Sequence, residues 1–140
     1  MRRSTVFLVG SLLVLAGALQ GCSRKSRQVA EAATQELRER YSRAEFDQIY
    51  AASAPELWTQ STHDDFVKVM QGVTRKLGDY RSSTVTGWRW FAGTNGTTVT
   101  LGYRTVFEKG AADEEFVWKV HNHAAKLAGY HISSNAFLAE

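Results

Sequence analysis

The sequence predicts an α+β domain in which N-terminal helices pack on a curved, four-stranded antiparallel meander. Three observations support this fold class. Apolar side chains recur at spacings of three and four up to Leu77, and from Gly78 onward the period changes to two. Turn signals at Asn95-Gly96 and Lys109-Gly110 then divide the second half into strands. A block of helices followed by a block of adjacent strands is typical of α+β domains.

The first half of the mature sequence contains two helix signals before its only proline. Residues 28–41 are rich in helix formers, and their apolar side chains recur every four residues: Val29, Ala33, Leu37 and Tyr41. A second helix carries Phe46, Ile49 and Tyr50 on one face. It should end near residue 53, because the residue before Pro55 disfavours helical geometry.

A short turn and a third, better defined helix follow. Ser53 and Glu56 have the spacing of a capping box, which would open a turn containing Leu57 and Trp58. Thr62 is the predicted N-cap of the third helix, and acidic residues at 64 and 65 suit its positive end. Its apolar stripe consists of Phe66, Val69, Met70, Val73 and Leu77. Gly78 supplies the C-terminal stop.

Four strands are predicted after residue 78. The first covers residues 80–91, and Asn95-Gly96 tolerates the positive backbone angles of the following tight turn. Residues 98–107 alternate as a second strand, residues 116–121 alternate as a third, and the last covers roughly residues 127–137. Gly87 and Gly102 are available for bends, so the twisted sheet should curl around the helices.

The first 21 residues have the layout of a signal peptide. Arg2 and Arg3 form a positive segment, and residues 6–19 are a run of 14 residues without a charge. A spanning helix needs about 20 apolar residues, so this run is too short to remain in a membrane. Cys22 is the one cysteine of the chain, which excludes an intramolecular disulfide as its role.

Leu19-Gln20-Gly21-Cys22 resembles a bacterial lipobox, although Gln20 replaces the small residue usual at that position. The resemblance implies cleavage between Gly21 and Cys22, diacylglyceryl transfer to the thiol of Cys22 and N-acylation with a palmitate-like chain. Ser23 resembles the residue of lipoproteins that are released to the outer membrane. The chain therefore divides into a signal peptide (1–21), a lipidated cysteine with a basic, hydrophilic tether (22–27) and one α+β domain (28–140).

Charge and size limit the classes of function. Cleavage leaves 119 of the 140 residues, enough for a single small domain. The chain has 17 basic and 14 acidic side chains, and removal of Arg2 and Arg3 leaves 15 against 14, a net charge of +1. No strong electrostatic case for nucleic-acid binding remains. The basic segment 24–27 could also attract anionic headgroups.

The order of elements is similar to the nuclear-transport-factor-2-like, or cystatin-like, superfamily of cone-shaped domains. More narrowly, the domain resembles small bacterial lipoproteins with uncharacterised domains of that superfamily. The motifs that carry the likeness are Leu77-Gly78 at the helix end, the hairpin 107–110 and the strand segment 129–134. The resemblance implies a cone with one curled sheet. It also allows a homodimer through the open sheet face.

Histidines and carboxylates provide few catalytic or metal-binding candidates. His121 and His123 share a face if they lie on a strand, and His131 on the next strand could complete a zinc or copper site. Asn122 and His123 fall at a predicted turn, which weighs against this site. The carboxylates at 47, 64, 65 and 79 are explained by helix ends, and Glu114 and Glu115 are assigned to a hairpin approach. No metal, cofactor or catalytic residue is therefore predicted.

Aromatic residues form the more promising set. Trp88 and Trp90 share one face of the first strand, with Arg89 and Phe91 on the other. These side chains either fill the core or leave an exposed aromatic patch, and such patches mark binding sites. The candidate binding surface consists of Trp88, Trp90, Tyr103 and Trp118.

The leading hypothesis is a non-enzymatic lipoprotein of the bacterial cell envelope, anchored by lipid on Cys22. The Ser23 signal predicts that it lies at the outer membrane and faces the periplasm. Its domain would bind a protein partner or a small apolar ligand. The alternative is a pocket enzyme of the same fold, such as an isomerase or dehydratase, which would need a deep cavity containing a buried Asp or His.

Overall fold

The computed structural model describes residues 15–138, with side chains from residue 21 onward. Four α-helices come first in this part of the chain: α1 (Leu15–Ser42), α2 (Phe46–Ala51), α3 (Pro55–Gln60) and α4 (His63–Leu77). Four strands follow: β1 (Tyr80–Gly93), β2 (Gly96–Phe107), β3 (Gly110–His121) and β4 (Ala124–Ser133). A 3-10 turn covers Asn135–Phe137. The strands form one antiparallel sheet in the order β1-β2-β3-β4, so the predicted α+β meander is confirmed.

Helix α1 is longer than the sequence pattern predicted. It includes residues 22–27, which we expected to be a hydrophilic tether. This segment contains no proline, and Arg27 forms an ion pair with Glu31 one turn later, with 2.7 Å between Nε and Oε1. The basic residues after Cys22 therefore continue the helix that packs on the sheet. Most of the predicted signal peptide lies outside the described residues.

The capping box predicted at residues 53–56 is wrong. The N-cap position of the next helix is Ala54, which has no side chain to accept a hydrogen bond, and the Ser53 hydroxyl donates backwards to the Ile49 carbonyl oxygen at 2.7 Å. Helix α3 begins instead at Pro55, whose fixed φ suits the first helical position and whose missing N–H costs nothing there.

Helix α4 begins and ends where predicted. The Thr62 hydroxyl accepts a hydrogen bond from the Asp65 amide at 3.2 Å. Gly78 ends the helix with a φ of 73°, in the region that favours glycine. The stripe Phe66, Met70, Val73 and Leu77 is buried, but Val69 is 52% exposed and does not belong to the core.

The turn between β3 and β4 explains why the last strand differs from the prediction. Asn122 and His123 both adopt positive φ values, 47° and 63°, in a two-residue turn. Strand β4 therefore begins at once with Ala124. It ends at Ser133, because the Ser134 hydroxyl accepts the Ala136 amide and opens the 3-10 turn.

Alternate side chains of the sheet face the helices and form the core. The buried set on β2 and β3 includes Val99, Leu101, Tyr103, Phe107, Phe116, Trp118 and Val120. Gly87 pairs with Gly102 beside a register shift in β1, as expected where a strand bends. Among the helices of residues 15–138, none is long and apolar enough to cross a membrane.

Candidate functional site

A buried ionic network lies between α1 and the sheet. Arg38 on α1 pairs with Glu114 on β3, with 3.0 Å between Nη1 and Oε2, and their side chains are 5% and 3% exposed. The Thr105 hydroxyl donates to the same carboxylate oxygen, and the Tyr130 hydroxyl donates to the other at 2.7 Å. The Glu114 carboxylate thus has three donors from three elements, which compensate for its removal from water.

Aromatic rings enclose the guanidinium group of Arg38. Its central carbon lies 4.3 Å from the ring centroid of Tyr80 and 5.3 Å from those of Tyr103 and Phe116. These distances permit cation–π attraction in a desolvated setting. Among the described residues 15–138, the Nε atom of Arg38 has no hydrogen-bond partner. The interior of the curved sheet is therefore filled by protein side chains at this point.

The sequence interpretation of Glu114 was wrong. We assigned it to a hairpin approach, but β3 already begins at Gly110 and Glu114 lies within paired strand, opposite Tyr103 and Ile132. It faces inward together with Ala112 and Phe116. Extending the alternation of β3 back to residue 112 would have identified Glu114 as a carboxylate on the apolar face. No pattern in the sequence distinguished Arg38 as a buried residue, because α1 carries several arginines.

Tyr130 completes the network from β4. Burial raises the pKa of Tyr130 well above its usual value, and the negative charge of Glu114 adds to this effect. The phenol therefore remains protonated and serves as a hydrogen-bond donor. The network consists of a carboxylate, a guanidinium and a phenol that pair with one another, and both oxygens of the carboxylate have donors.

The predicted aromatic surface is divided by the fold. Tyr103 and Trp118 are 4% exposed and belong to the core, so they do not form part of an exposed patch. Trp90 is half-buried and packs against the core, whereas Trp88 is 39% exposed. All four share the inner face, because Trp88 pairs with Leu101 and Trp90 with Val99. The curl of the sheet decides which of them solvent reaches.

Trp118 connects the core to a small cleft. Its indole N–H donates to the Thr34 hydroxyl at 3.0 Å, and that hydroxyl donates to the Ala30 carbonyl at 2.9 Å. One edge of the ring lines a cleft of about 90 Å³ between α1, α2, β3 and β4. Its lining is Ala33, Glu36, Leu37, Arg40, Ile49, Ala52, Ser53, Trp118, Ala125 and Leu127. The floor is apolar, and the Glu36–Arg40 ion pair (2.9 Å) lies at its rim.

The histidines do not converge. His121 ends β3, His123 lies in the turn, and His131 is on the outer face of β4 opposite Glu115. Within residues 15–138, no group of three His, Cys, Asp or Glu side chains is arranged to hold a metal ion.

His63 is held by two carboxylates at the start of α4. Its Nδ1 lies 3.0 Å from Oδ1 of Asp64, and its Nε2 lies 2.6 Å from Oδ1 of Asp47. Two hydrogen bonds raise the pKa of the imidazole: the bond to Asp64 has the larger effect, and the bond to Asp47 adds to it. This exposed cluster joins α2 to α4. The acidic residues at 47, 64, 65 and 79 are all exposed.

Cys22 is an exposed, free cysteine in α1. It lies beside an open groove of about 340 Å³ that separates α1 from the tips of the β1–β2 and β3–β4 hairpins. The first residue of the expected mature chain is therefore accessible at one end of the domain.

These features define an α+β domain with a filled, curled sheet, a small apolar cleft on one side and an accessible cysteine at one end. No protein-family model matches this chain, and no curated protein matches its sequence.

Proposed function

We propose that the protein is a bacterial envelope lipoprotein, tethered by lipid on Cys22, whose domain is a non-enzymatic binding module for a protein partner. Within this proposal the domain is a divergent member of the cystatin-like cone superfamily, in keeping with its helices and four-stranded meander. The signal layout, the lipobox-like residues before Cys22 and the exposure of its thiol support the anchor. Ser23 favours the outer membrane, with the domain facing the periplasm.

The observation that carries the binding role is the cleft at Trp118. Its volume of about 90 Å³ is well below the roughly 300–1,000 Å³ of pockets that enclose small-molecule ligands. A cleft of this size suits one apolar side chain of a partner, and such anchor pockets contribute strongly at protein interfaces. The charged groups of Glu36 and Arg40 would form the polar rim. For this cleft we therefore favour an apolar side chain of a protein partner over a small apolar ligand.

The alternative of a pocket enzyme has less support. Its strongest candidate acid is Glu114, the carboxylate inside the curled sheet. That group is paired with Arg38, accepts from Thr105 and Tyr130 and is almost completely covered. A general acid or base must come within hydrogen-bond distance of its substrate, and this network leaves no such approach.

The anchor is tested by replacing Cys22 with serine in the full chain. The wild-type chain is expected to incorporate radiolabelled fatty acid, to run at the mass of the cleaved form and to partition into detergent. The C22S variant should lose all three properties. An unlabelled wild-type chain, or a C22S variant that remains in the membrane at unchanged size, would contradict the anchor.

The binding role is tested by filling the cleft. Ala33 lines it from α1, whereas Ala32 is exposed on the same helix. Ala33→Leu should therefore abolish a stoichiometric partner that co-purifies with the wild-type chain from detergent-solubilised envelope. Ala32→Leu adds the same side chain outside the cleft and should retain the partner. No partner with the wild-type chain, or equal recovery with both variants, would contradict the proposal.

A further inference from the structure

The end of the domain that carries Cys22 also carries an unusual set of basic and imidazole groups. The groove there is lined by α1 on one side and the hairpin tips on the other: Cys22, Lys25, Ser26, Val29, Gly96, Thr97, Val120, His121, Asn122 and His123. No carboxylate belongs to this lining. We call this set the lipid-side groove.

The ammonium and imidazole groups of the groove have no acidic partners among residues 15–138. Over residues 15–138, Lys25, His121 and His123 take part in no ion pair, whereas the neighbouring Arg27 is neutralised by Glu31. All three side chains are exposed. A Lys ammonium carries three donors, and even a neutral imidazole carries one. The groove therefore offers several donors and a positive charge to an anion.

Aromatic groups lie towards the same end of the sheet. Phe91 pairs with Thr98 near the β1–β2 tip and is 69% exposed. Trp88, three residues earlier and on the inner face of β1, lies under the guanidinium of Arg27, with 5.1 Å between its ring centroid and the arginine carbon. Exposed aromatic rings beside basic side chains are typical of surfaces that lie at a membrane interface.

We propose that the lipid-side groove binds the headgroup phosphate of an anionic phospholipid in the leaflet that holds the Cys22 lipid. This inference rests on the proposed anchor. The tether keeps the groove within reach of headgroups, and complementary charge then orients the domain with the tips of the β1–β2 and β3–β4 hairpins towards the membrane. Each basic side chain near an anionic surface contributes about 1 kcal/mol, which corresponds to a factor of about five. The cleft at Trp118 would then lie along the side of the oriented domain.

The experiment uses the full lipidated chain, reconstituted into vesicles of phosphatidylcholine alone or with phosphatidylglycerol. Hydrogen exchange of the backbone amides at residues 94–97 and 121–123 reports contact of the tips with lipid. We expect several-fold slower exchange on the phosphatidylglycerol vesicles, and high salt should remove the difference. Equal exchange on both kinds of vesicle, while the chain floats with them, would overturn the groove proposal and leave the anchor intact.

Two matched double variants test whether the slower exchange depends on the groove. The double change Lys25→Gln, His123→Asn should reduce the lipid-dependent slowing about fivefold, and asparagine suits the positive φ at residue 123. The control Lys109→Gln, His131→Asn makes the same changes outside the groove and should retain the slowing. Slowing that persists in the groove variant would overturn the proposal. If the groove variant unfolds, the exchange of the wild-type chain on the two kinds of vesicle still tests the proposal. Failure of the wild-type chain to float with either vesicle would overturn the anchor, and with it the groove.

Discussion

Arg38 on α1 and Glu114 on β3 form an ion pair in the interior of the domain, with 3.0 Å between Nη1 and Oε2. The pair joins the first helix to the third strand across the core. Because both charges are out of water, neither can lose its partner without a large cost. The pair therefore joins α1, which carries Cys22 and one wall of the cleft, directly to the sheet.

Glu114→Gln should lower the free energy of unfolding by about 3–5 kcal/mol, because Arg38 would remain charged and buried. Replacing both residues, as Arg38→Met with Glu114→Leu, should cost less than the sum of the single changes. Urea unfolding measures both. The exposed Arg104–Asp113 pair, at 2.8 Å, is the control, and Asp113→Asn should cost less than about 1 kcal/mol. Equal losses for Asp113→Asn and Glu114→Gln would show that the buried pair has no special role.

Thr34→Val should cost about 1–3 kcal/mol, although the two side chains have similar shapes. The change removes the acceptor of the Trp118 indole N–H and leaves that buried donor unpaired. Thr34→Ser keeps the hydroxyl and should retain more of the stability. Thermal unfolding followed by tryptophan fluorescence distinguishes the two variants, and a serine variant no better than valine would exclude the hydrogen bond as the cause.

Gly78→Ala should destabilise the domain by about 1–3 kcal/mol. At a φ of 73° a side chain is strained, and the new Cβ would lie 3.0 Å from Cβ of Glu108. Gly72 provides the opposite case within α4, since its added Cβ meets only a flexible arginine end at 3.8 Å. Gly72→Ala should stabilise the domain by about 0.5–1 kcal/mol through helix propensity. Chemical denaturation of the two variants should therefore shift in opposite directions.

The imidazole of His63 should titrate above its ordinary pKa of about 6.5, because hydrogen bonds to Asp64 and Asp47 favour its charged form. Its contribution to stability is fully present below about pH 6.5 and is lost as the pH rises through the raised value. Asp64→Asn should move the pKa back towards 6.5, as followed by proton NMR. An unchanged titration in that variant would assign the shift to another group.

Stability should also fall in strong alkali because of Tyr130. The unfolded phenol releases its proton near pH 10, whereas the folded phenol holds it to a higher pH, so the native state is disfavoured as the pH passes 10. Tyr130→Phe should weaken this decline while lowering stability near neutral pH, since Glu114 loses one donor. Denaturation midpoints over an alkaline series test this expectation, and a decline as steep as in the wild-type chain would contradict it.

Local patterns in the sequence determined the class of fold and most element boundaries. The Thr62 cap and the Gly78 stop depend on backbone geometry within a few residues, so they can be predicted without a structure. The hairpin signal at Asn95-Gly96 placed the turn within one residue: β1 ends at Gly93, β2 begins at Gly96, and of the two signal residues only Gly96 has a positive φ, 103°. The Trp residues were also correctly placed on one face of β1, because alternation fixes the face.

Only the tertiary structure decided which of these side chains are exposed to solvent and which charged side chains form ion pairs. Burial of Tyr103 and Trp118, the pairing of Arg38 with Glu114 and the cleft beside Trp118 all depend on how far the sheet curls over α1. Contacts between residues far apart in sequence leave no local period. The sequence by itself therefore predicts the lipid attachment at Cys22 and the α+β meander, and packing decides what that meander can bind.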